Sequence, residues 1–377
     1  MRKKRILFAA VDIGFRIELY TKFIDTHLTD KLSSESFTKF KLAESHYKTS
    51  YTHICEVGKH SSLYVYVYTF LFFIYSLFRY DIFHFLSGET ILTRKLRPIE
   101  FFIYRLFGKR IVMHFVGSDI RNPGYLFWKD ANLVPFLEGA RSVPLTLPWQ
   151  DKLIKDSLKY ADSILVSTPD LLEIIPSAKY YPVLIDLEKF YKEVGLLPDE
   201  TPEKVHRDPY NILHAPSNNK VKGTNCIHDA LDKMLAKYGD GINCVTPGHN
   251  ITRTGKLYSV SRYDLFGLLK ESDVLIDQLV IGWYGLQSLE GLLCGSKVLC
   301  YIEENLVGHL ANGCPVLNVN AKTLEKTLDE LIAGRTYYSK EEIRKNIEWV
   351  RKIHTIEENH SALLEAWNVT LYPDLNT

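Results

Sequence analysis

The most informative pattern of apolar and polar positions lies between residues 273 and 302. The apolar run from Asp273 to Leu279 is typical of a buried strand, and Gly282 and Gly285 interrupt the chain after it. A second apolar run, from Lys297 to Tyr301, predicts another buried strand. The pattern therefore predicts a strand, a glycine turn, a short helix and a strand. The helix is indicated by leucines at helical spacing, Leu286, Leu289, Leu292 and Leu293.

This glycine turn is a candidate phosphate site. A turn that leads into a helix brings together free backbone N–H groups and the positive end of the helix dipole. Glu290 follows about one turn into the helix, where its carboxylate can accept hydrogen bonds from a ribose diol. A nucleotide or a nucleotide sugar would fit both features, with its phosphate at the glycine turn and its ribose at Glu290. The alternative is an ordinary strand–helix–strand unit in which Glu290 is a surface residue.

Strands and helices alternate along the rest of the chain as well. This alternation predicts an α/β protein with two Rossmann-like parallel-sheet domains that face each other across a cleft. Residues 192–209 are polar and contain Pro198, Pro202 and Pro209, which indicates the seam between the domains. We therefore predict one domain at 1–190, a second at 191–345, and helices at 346–377 that pack back on the first domain.

An aromatic region in the first half of the chain allows two interpretations. Residues 61–78 carry no charge over 18 positions, which reaches the length of a membrane span. Four tyrosines interrupt this run, and Arg79 and Asp81 follow it at once, which disfavours a span. The region 61–110 either packs in the core or contacts an anionic membrane surface. A second aromatic segment, 99–107, lies among Arg94, Lys95, Arg97, Arg105, Lys109 and Arg110.

Composition narrows the class of protein. The 377 residues are 46% hydrophobic and 24% charged, which is typical of a globular chain. The net charge of +1 provides no field that would attract nucleic acid, so we expect no nucleic-acid partner. The apolar run from Ile6 to Val11 is too short for a signal peptide, and we expect a cytoplasmic protein, with the inner face of the membrane as the place of any lipid contact. The six cysteines contain no CxxC pair, which favours reduced thiols over disulfides or metal.

Polar residues at strand ends supply further candidates. In open parallel sheets, ligands bind beyond the carboxyl ends of the strands. Gly14 lies in the turn after the first predicted strand, and the strand that contains His114 runs into a turn at Asp119. We predict these residues to line a crevice. The alternatives are a buried core histidine and an aspartate that caps its own turn.

Two lysines occupy another loop between a strand and a helix. Lys220 and Lys222 follow the predicted strand at 211–215 and precede a helix from about Cys226. Lysines in such a loop can neutralise a phosphate. The alternative is a pair of solvated surface lysines.

In their order along the chain, these motifs resemble the GT-B glycosyltransferases, in particular the large retaining group called family four. The resemblance covers most of the chain. It rests on the glycine turn at 12–16, GSD at 117–119, IDLEKF at 185–190, KGT at 222–224 and GWYGLQSLEGLLCG at 282–295.

The resemblance implies roles for the matched residues. The family signature is two glutamates separated by seven residues, and the second glutamate matches Glu290, which implies a ribose contact. The first position is Gly282, so the carboxylate that faces the sugar in the family is missing. The implied donor-binding residues are Gly14, Lys220, Lys222, Gly282, Tyr284, Gly285, Leu286 and Glu290, with the backbone amides of Gly285 and Leu286 on the diphosphate.

The resemblance also implies a reaction. It is transfer of a sugar from a UDP- or GDP-type donor to a saccharide or lipid-linked saccharide acceptor, with retention, in surface polysaccharide or glycan assembly. The acceptor would bind to the domain at 1–190 and the donor to that at 191–345. Lys222, Asp119 and His114 are the catalytic candidates, and His114 would replace the family histidine that falls on Val116. No cofactor or metal is expected beyond the donor. A non-catalytic GT-B subunit and a nucleotide-sugar epimerase remain alternatives.

Overall fold

The computed structural model divides into two compact units. The first contains residues 2–121, 147–184 and 356–370, and the second contains residues 185–355. The changes of unit therefore fall at 184/185 and 355/356, whereas the sequence predicts boundaries at 190/191 and 345/346. The structure describes residues 2–12, 14, 16–40, 51–121, 147–197, 200–204, 208–217, 222–247 and 261–370.

The first unit is built on a parallel sheet of seven strands in the order β3-β2-β1-β4-β5-β6-β7. Its register pairs Ile6 with Ile82 and Phe85 with Met113. Because every pairing is parallel, the carboxyl ends of these strands lie along one edge. The strands are β1 (Lys4–Ala9), β2 (Leu32–Thr38), β3 (His53–Ile54), β4 (Ile82–Leu86), β5 (Arg110–Phe115), β6 (Ser163–Val166) and β7 (Lys179–Tyr180).

Helices cover both faces of this sheet. Successive residues of β1 alternate between the two layers: Leu7 belongs to one apolar cluster, while Ile6 and Phe8 belong to the other. The cluster of Leu7 includes side chains of α2, α3 and α4, and that of Ile6 includes side chains of α1 and α11. These helices are α1 (Arg16–His27), α2 (Ser62–Arg79), α3 (Arg97–Leu106), α4 (Pro148–Tyr160) and α11 (Ile356–Trp367).

The second unit has a parallel sheet of five strands in the order β12-β11-β10-β8-β9. The prediction of an α/β protein with two parallel sheets is confirmed. The strands are β8 (Tyr210–Leu213), β9 (Ile242–Val245), β10 (Val274–Ile276), β11 (Lys297–Cys300) and β12 (Leu317–Asn318). The helices are α5 (Leu187–Val194), α6 (Thr224–Tyr238), α7 (Arg262–Glu271), α8 (Leu286–Leu293), α9 (Leu324–Ala333) and α10 (Lys340–His354). Short 3-10 turns lie at Pro169–Leu172, Gly239–Gly241 and Glu304–His309.

The C-terminal region forms two helices. Helix α10 ends at His354, and α11 starts at Ile356 and belongs to the first unit. There, Trp367 is fully buried, and its Nε1 donates a hydrogen bond to His84 Nδ1 at 3.0 Å. The last helix is therefore part of the core of the first unit. The helix from 340 to 354, most of which the sequence assigned to the first domain, belongs to the second.

Helix α2 buries one face and exposes the other. Its buried residues, among them Phe72, Phe73 and Leu77, join the apolar cluster on the sheet. Its length and composition are those of a helix that could span a membrane, and 28% of it is buried inside the protein. One stripe of α2 therefore holds the helix to the sheet, and the opposite side leaves apolar side chains exposed. The exposed set is Leu63, Tyr64, Tyr66, Val67, Phe70, Leu71, Ile74, Tyr75 and Phe78.

All six cysteines are free thiols. Five are buried in the core, and Cys314 is partly exposed.

Candidate functional site

The loop between β10 and α8 has the predicted form of a strand, a glycine turn and a helix. Gly282 has a φ of 81°, a left-handed conformation that favours glycine. Gly285 is the residue that precedes the first turn of α8. Further along, Gly291 lets the helix approach the sheet closely, because a Cβ there would collide with Leu275 Cδ2 and lie 3.1 Å from Val298 Cγ2. The start of α8 is therefore fixed against the carboxyl end of β10.

Asp277 organises this loop from within. Its side chain is fully buried just beyond β10 and accepts hydrogen bonds from the Gly285 N–H at 3.1 Å and the Ser288 hydroxyl at 2.6 Å. It also forms an ion pair with the Lys222 ammonium group. Burial alone would raise the pKa of Asp277, but Lys222 and these hydrogen bonds outweigh burial and lower the pKa. Asp277 is therefore an ionised carboxylate that links Lys222 to the start of α8.

Lys222 reaches this loop from the start of α6. Gly223, with a φ of 74°, precedes that helix, and the Leu279 N–H donates to the Lys222 carbonyl at 3.1 Å. The Lys222 Nζ lies 3.9 Å from the position of a Cβ on Gly285, and 15% of its side chain is exposed. The structure thus brings the predicted lysine to the predicted glycine turn. Lys220 lies outside the described residues.

A cation beside a helix start can bind an anion. The Leu286 and Gln287 amides are at the first two positions of α8, where a helix provides no internal acceptor. The Lys222 ammonium, which is paired with Asp277, lies next to this helix start, so the ammonium and the amides can contact one anion. The Gly285 amide, which the sequence assigned to a diphosphate, instead donates to Asp277 in this structure.

Glu290 is the predicted ribose contact, and its surroundings differ from those of a surface carboxylate. It is 1% exposed and forms an ion pair with Arg262, whose guanidinium lies 4.3 Å from the Phe266 ring. Burial raises the pKa of Glu290, and Arg262 offsets only part of that effect. The interpretation of Glu290 as a surface residue is therefore excluded. Its carboxylate can serve a ligand only together with Arg262.

Tyr284 packs against aromatic residues of its own loop and of α10. Its hydroxyl lies 3.1 Å from His354 Nε2, and its ring stacks on Trp283 with 5.0 Å between centroids. Both aromatic rings are buried. Tyr284 therefore positions the loop by packing toward α10, and its contact with a donor stays a prediction.

Gly282 lies against Glu303, which belongs to the segment after β11. A Cβ on Gly282 would be 2.8 Å from Glu303 Cβ and 3.0 Å from Glu303 Oε2. The Glu303 N–H donates to the Gly282 carbonyl at 3.0 Å. The space that a side chain at 282 would need is thus occupied by Glu303, which follows β11.

In the first unit, His114 and Asp119 have structural surroundings. His114 is fully buried on β5. Its Nε2 lies 3.1 Å from the Ser167 hydroxyl and 3.5 Å from the Arg16 guanidinium. Burial, with the positive charge of Arg16, lowers the pKa of His114 well below its usual value, so the ring is neutral. The core-histidine alternative describes this environment, and a catalytic role of His114 stays a prediction.

Asp119 caps its own turn. Its carboxylate accepts the backbone N–H groups of Val116 at 3.0 Å, Gly117 at 2.8 Å and Ile120 at 3.1 Å. Burial raises its pKa, and these hydrogen bonds oppose the rise. This is the turn-capping alternative that the sequence left open. Asp119 therefore has a structural role in this turn, and its catalytic role stays a prediction.

Gly14 lies in the turn between β1 and α1 and has a φ of 68°. Asp12 in the same turn is buried and accepts the Ile17 N–H at 3.3 Å, and burial raises its pKa to about 6. Arg16 is also buried and contacts His114 and Ser167. The carboxyl edge of this sheet thus combines a glycine turn with buried charges.

Sequence reasoning missed Asp277, Arg262 and Glu303. Asp277 had a visible signal, since it is a carboxylate at the end of an apolar strand and shortly before a glycine turn. Arg262 and Glu303 had none, because they reach Glu290 and Gly282 only through the fold.

Comparison with known proteins gives the fold. No protein-family model matches the chain. No curated protein matches it by sequence. Solved structures do match. A glycosyltransferase from Rickettsia africae superimposes with a TM-score of 0.61 at 13% identity, with 98% of each chain covered.

Two further structures give the same result. The sucrose-phosphate synthase of Thermosynechococcus elongatus has a TM-score of 0.60 at 12% identity, over 97% of this chain and 98% of that one. HepE from Anabaena, solved in complex with UDP-glucose, has a TM-score of 0.57 at 11% identity, over 97% and 99%. The chain therefore has the GT-B fold of glycosyltransferases. These similarities do not distinguish among GT-B families, and family four stays a prediction.

Proposed function

We propose that this protein is a glycosyltransferase that moves a sugar from a nucleoside-diphosphate donor to a saccharide or lipid-linked saccharide acceptor. The observation that carries the proposal is the Lys222 ammonium held by Asp277 beside the start of α8. The GT-B fold supports it, since structural neighbours are glycosyltransferases and one of them was solved with UDP-glucose.

The chemistry follows from the charges at this loop. As the bond to the sugar breaks, negative charge builds on the leaving diphosphate. Lys222 and the Leu286 and Gln287 amides at the start of α8 would stabilise this charge, and one such donor typically contributes about 3 kcal/mol. Because Asp277 fixes Lys222, little reorganisation of the lysine would be needed. We propose that these groups act without a divalent metal and that the sugar is transferred with retention.

Glu290 would bind the nucleoside. Its carboxylate can accept the ribose hydroxyls while Arg262 keeps it in place. UDP and GDP are the expected donor types. The acceptor would bind to the first unit, and surface polysaccharide or glycan assembly is the expected process.

The reaction is tested with purified protein, UDP- and GDP-sugars and saccharide or lipid-linked acceptors, with EDTA present. We expect sugar transfer, and we expect Glu290→Ala to lower kcat/KM by roughly tenfold or more. Glu271→Ala, an exposed carboxylate on the neighbouring α7, is the matched control and should leave activity unchanged.

Three outcomes would contradict this proposal in different ways. Full activity of Glu290→Ala would remove the ribose assignment. Conversion of the donor sugar without an acceptor would indicate an epimerase. Donor binding without transfer or hydrolysis would indicate a non-catalytic subunit.

We also propose that α2 and α3 contact an anionic membrane surface. The exposed apolar face of α2 continues onto α3, because the rings of Phe78 and Phe107 meet edge-on at 6.0 Å. Ile99, Phe102 and Leu106 of α3 are exposed beside them. Such a contiguous apolar surface is unusual on a protein without a partner.

Basic side chains near this surface favour anionic lipid as the partner. A groove beside the ends of these helices is lined by six cations and two carboxylates: Arg2, Lys3, Lys4, Arg105, Lys109, Arg110, Asp81 and Asp162. Aromatic side chains beside an excess of cations fit the interface of an anionic bilayer. Arg97, which the sequence grouped with these cations, is buried and bound to the Gly88 carbonyl, so it does not contribute.

Vesicle sedimentation tests this contact. We expect the protein to pellet with phosphatidylserine vesicles at low salt and less with phosphatidylcholine vesicles. The double variant Phe70→Ser/Phe78→Ser removes side chains that are 54% and 73% exposed, and should weaken binding by tenfold or more.

Tyr263→Ser, which changes an aromatic residue that is 80% exposed on the second unit, is the matched control and should pellet like the wild type. Equal pelleting of all three proteins, or none of the wild type at low salt, would contradict a membrane contact through this face.

A further inference from the structure

We propose that the cationic groove of the first unit is a binding site for a phosphate monoester. This groove has a volume of about 600 Å³ and belongs entirely to the first unit. The inference deepens the proposed membrane contact, because it names the chemical group that the groove selects, and it does not depend on sugar transfer. The cations that line the groove are Arg2, Lys3, Lys4, Arg105, Lys109 and Arg110.

The groove lies at the amino edge of the seven-stranded sheet. Lys4 begins β1, Ile82 begins β4 and Arg110 begins β5, and all three residues line the groove. Because these strands are parallel, their amino ends lie along the edge opposite to the turns that follow their carboxyl ends. Ligands of open parallel sheets usually bind at the carboxyl ends. The groove is therefore a separate site on this unit.

Three of the cations are held by backbone carbonyls, which orient the side chains without neutralising their charge. Lys4 Nζ donates to the Asn368 carbonyl at 2.9 Å, and Lys109 Nζ donates to the Tyr80 carbonyl at 2.7 Å. Arg110 Nε donates to a carbonyl in the last turn of α11 at 2.5 Å. An ammonium group has three N–H donors and a guanidinium has five, so each of these bonds uses only one of several donors.

The two carboxylates of the groove are held by the sheet and by arginines. Asp81 accepts the Arg5 backbone N–H at 2.9 Å and lies 3.6 Å from the Arg2 guanidinium. Asp162 accepts a backbone N–H of β5 at 2.8 Å and forms an ion pair with Arg105. Each carboxylate thus balances one arginine, and the charge of the other lining cations is in excess. These cations are Lys3, Lys4, Lys109 and Arg110.

This excess of positive charge favours an anion with more than one charge. A phosphate monoester carries about two negative charges at neutral pH and has three strong acceptor oxygens, whereas a phosphodiester carries one charge. Lys109 shows the need for such an anion. Burial lowers its pKa, Asp81 opposes this effect and Arg2 adds to it, so a bound dianion would favour the charged ammonium.

The groove opens beside the exposed apolar face of α2 and α3. Arg105 and Gly108 line the groove, and the residues between them, Leu106 and Phe107, are exposed. A lipid that binds its phosphate in the groove would therefore place its acyl chains next to these side chains. Phosphatidic acid is a lipid with a terminal phosphate monoester, and glycerol 3-phosphate is the same headgroup without acyl chains.

Sedimentation with two kinds of vesicle tests the site. Phosphatidylcholine vesicles contain either phosphatidic acid or enough phosphatidylserine, whose phosphate is a diester, to carry the same surface charge. We expect the wild type to bind the phosphatidic acid vesicles roughly tenfold more tightly. Lys3→Gln/Lys109→Gln should remove most of this preference, because it removes two of the excess cations. Calorimetry with glycerol 3-phosphate measures the same site without a membrane.

Two further variants control for charge and for folding. Lys326→Gln/Lys345→Gln removes the same number of charges from exposed positions of the second unit and should keep the preference. Lys3→Gln alone changes an exposed residue and should show part of the loss, so the site can be tested even if the double variant is unstable. Melting curves establish that each variant is folded.

The outcomes separate the groove from the membrane contact. Binding of glycerol 3-phosphate that Lys3→Gln/Lys109→Gln loses, without any pelleting, would keep the phosphate site and overturn the membrane contact. Equal affinity for both kinds of vesicle would keep the membrane contact and overturn the monoester site, as would a preference that the double variant retains. If the wild type binds neither vesicles nor glycerol 3-phosphate, both proposals are wrong, while sugar transfer at the Lys222 site is measured independently.

Discussion

At the scale of single residues, the ion pair of Lys222 with Asp277 determines what the site can do. Asp277 is fully buried, so removal of its cation leaves an unpaired charge in the protein interior, which typically costs about 3–5 kcal/mol. A variant at Lys222 alone would therefore mix a loss of stability with a loss of function. Lys222→Ala/Asp277→Asn removes both charges and separates the two effects.

Asp12 gives a prediction about pH at the same scale. Burial raises its pKa to about 6 from 3.8, so the folded chain holds this proton more tightly than the unfolded chain. The cost of ionising the buried carboxylate is absent below the unfolded pKa, grows as the pH rises and is complete above about 6. Asp12→Asn should therefore stabilise the fold more at pH 7.5 than at pH 5, by about 1 kcal/mol.

Urea unfolding of wild type and Asp12→Asn at the two pH values measures this difference. Asp25→Asn, an exposed change on α1, is the control and should show no such dependence. A gain from Asp12→Asn that is equal at both pH values, or larger at pH 5, would contradict the raised pKa.

The sequence predicted residues of this site where local pattern was enough. The sequence predicts Lys222 in a loop before a helix, Gly285 in a glycine turn and Glu290 one turn into the next helix. The structure has each residue in that place and brings Lys222 to Gly285. Their partners could not be predicted in the same way. Arg262 meets Glu290, and Glu303 meets Gly282, through contacts that depend on the packing of separate elements.

At the scale of secondary-structure elements, the approach of α8 to the sheet positions the donor loop. Gly291 faces Leu275 and Val298, both fully buried, and a Cβ there would collide with the Leu275 side chain. We expect Gly291→Ala to destabilise the protein by about 1–3 kcal/mol, because overpacking forces the helix or the strand to shift.

Gly267 is the matched control for this prediction. It lies within α7, is exposed, and has nothing within 4 Å of a Cβ. Gly267→Ala should stabilise the protein by about 0.5–1 kcal/mol, since alanine favours the helix. Urea unfolding of both variants tests the pair, and a neutral or stabilising Gly291→Ala would show that α8 does not depend on this close approach.

Elements with a strong pattern could be predicted from the sequence. The apolar periodicity of 273–302 predicts β10, α8 and β11. The charge-free stretch at 61–78 coincides with α2 almost to the residue. Which face of α2 is buried could not be predicted, because the helix is apolar on nearly every side and only contact with the sheet distinguishes Phe72 from Phe70.

At the scale of the whole molecule, alternation of strands and helices was enough to predict two parallel sheets. The unit boundaries depend on long-range contacts. Helix α10 packs in the second unit while α11 adds Trp367 to the core of the first, and a single position, Thr355, separates the two helices. A break between two amphipathic helices is visible in the sequence, but the unit to which each belongs is not.

The central claim is that the Lys222 site binds the diphosphate of a nucleotide. Thermal unfolding with UDP, GDP, ADP and the corresponding monophosphates, each at 1 mM, tests it most directly. We predict that one nucleoside diphosphate raises the Tm of the wild type by a few degrees and its monophosphate by less, since binding to the native state stabilises it by mass action. Lys222→Ala/Asp277→Asn should remain folded and lose this shift. A wild type that no diphosphate stabilises, or a double variant that responds like the wild type, would contradict the account.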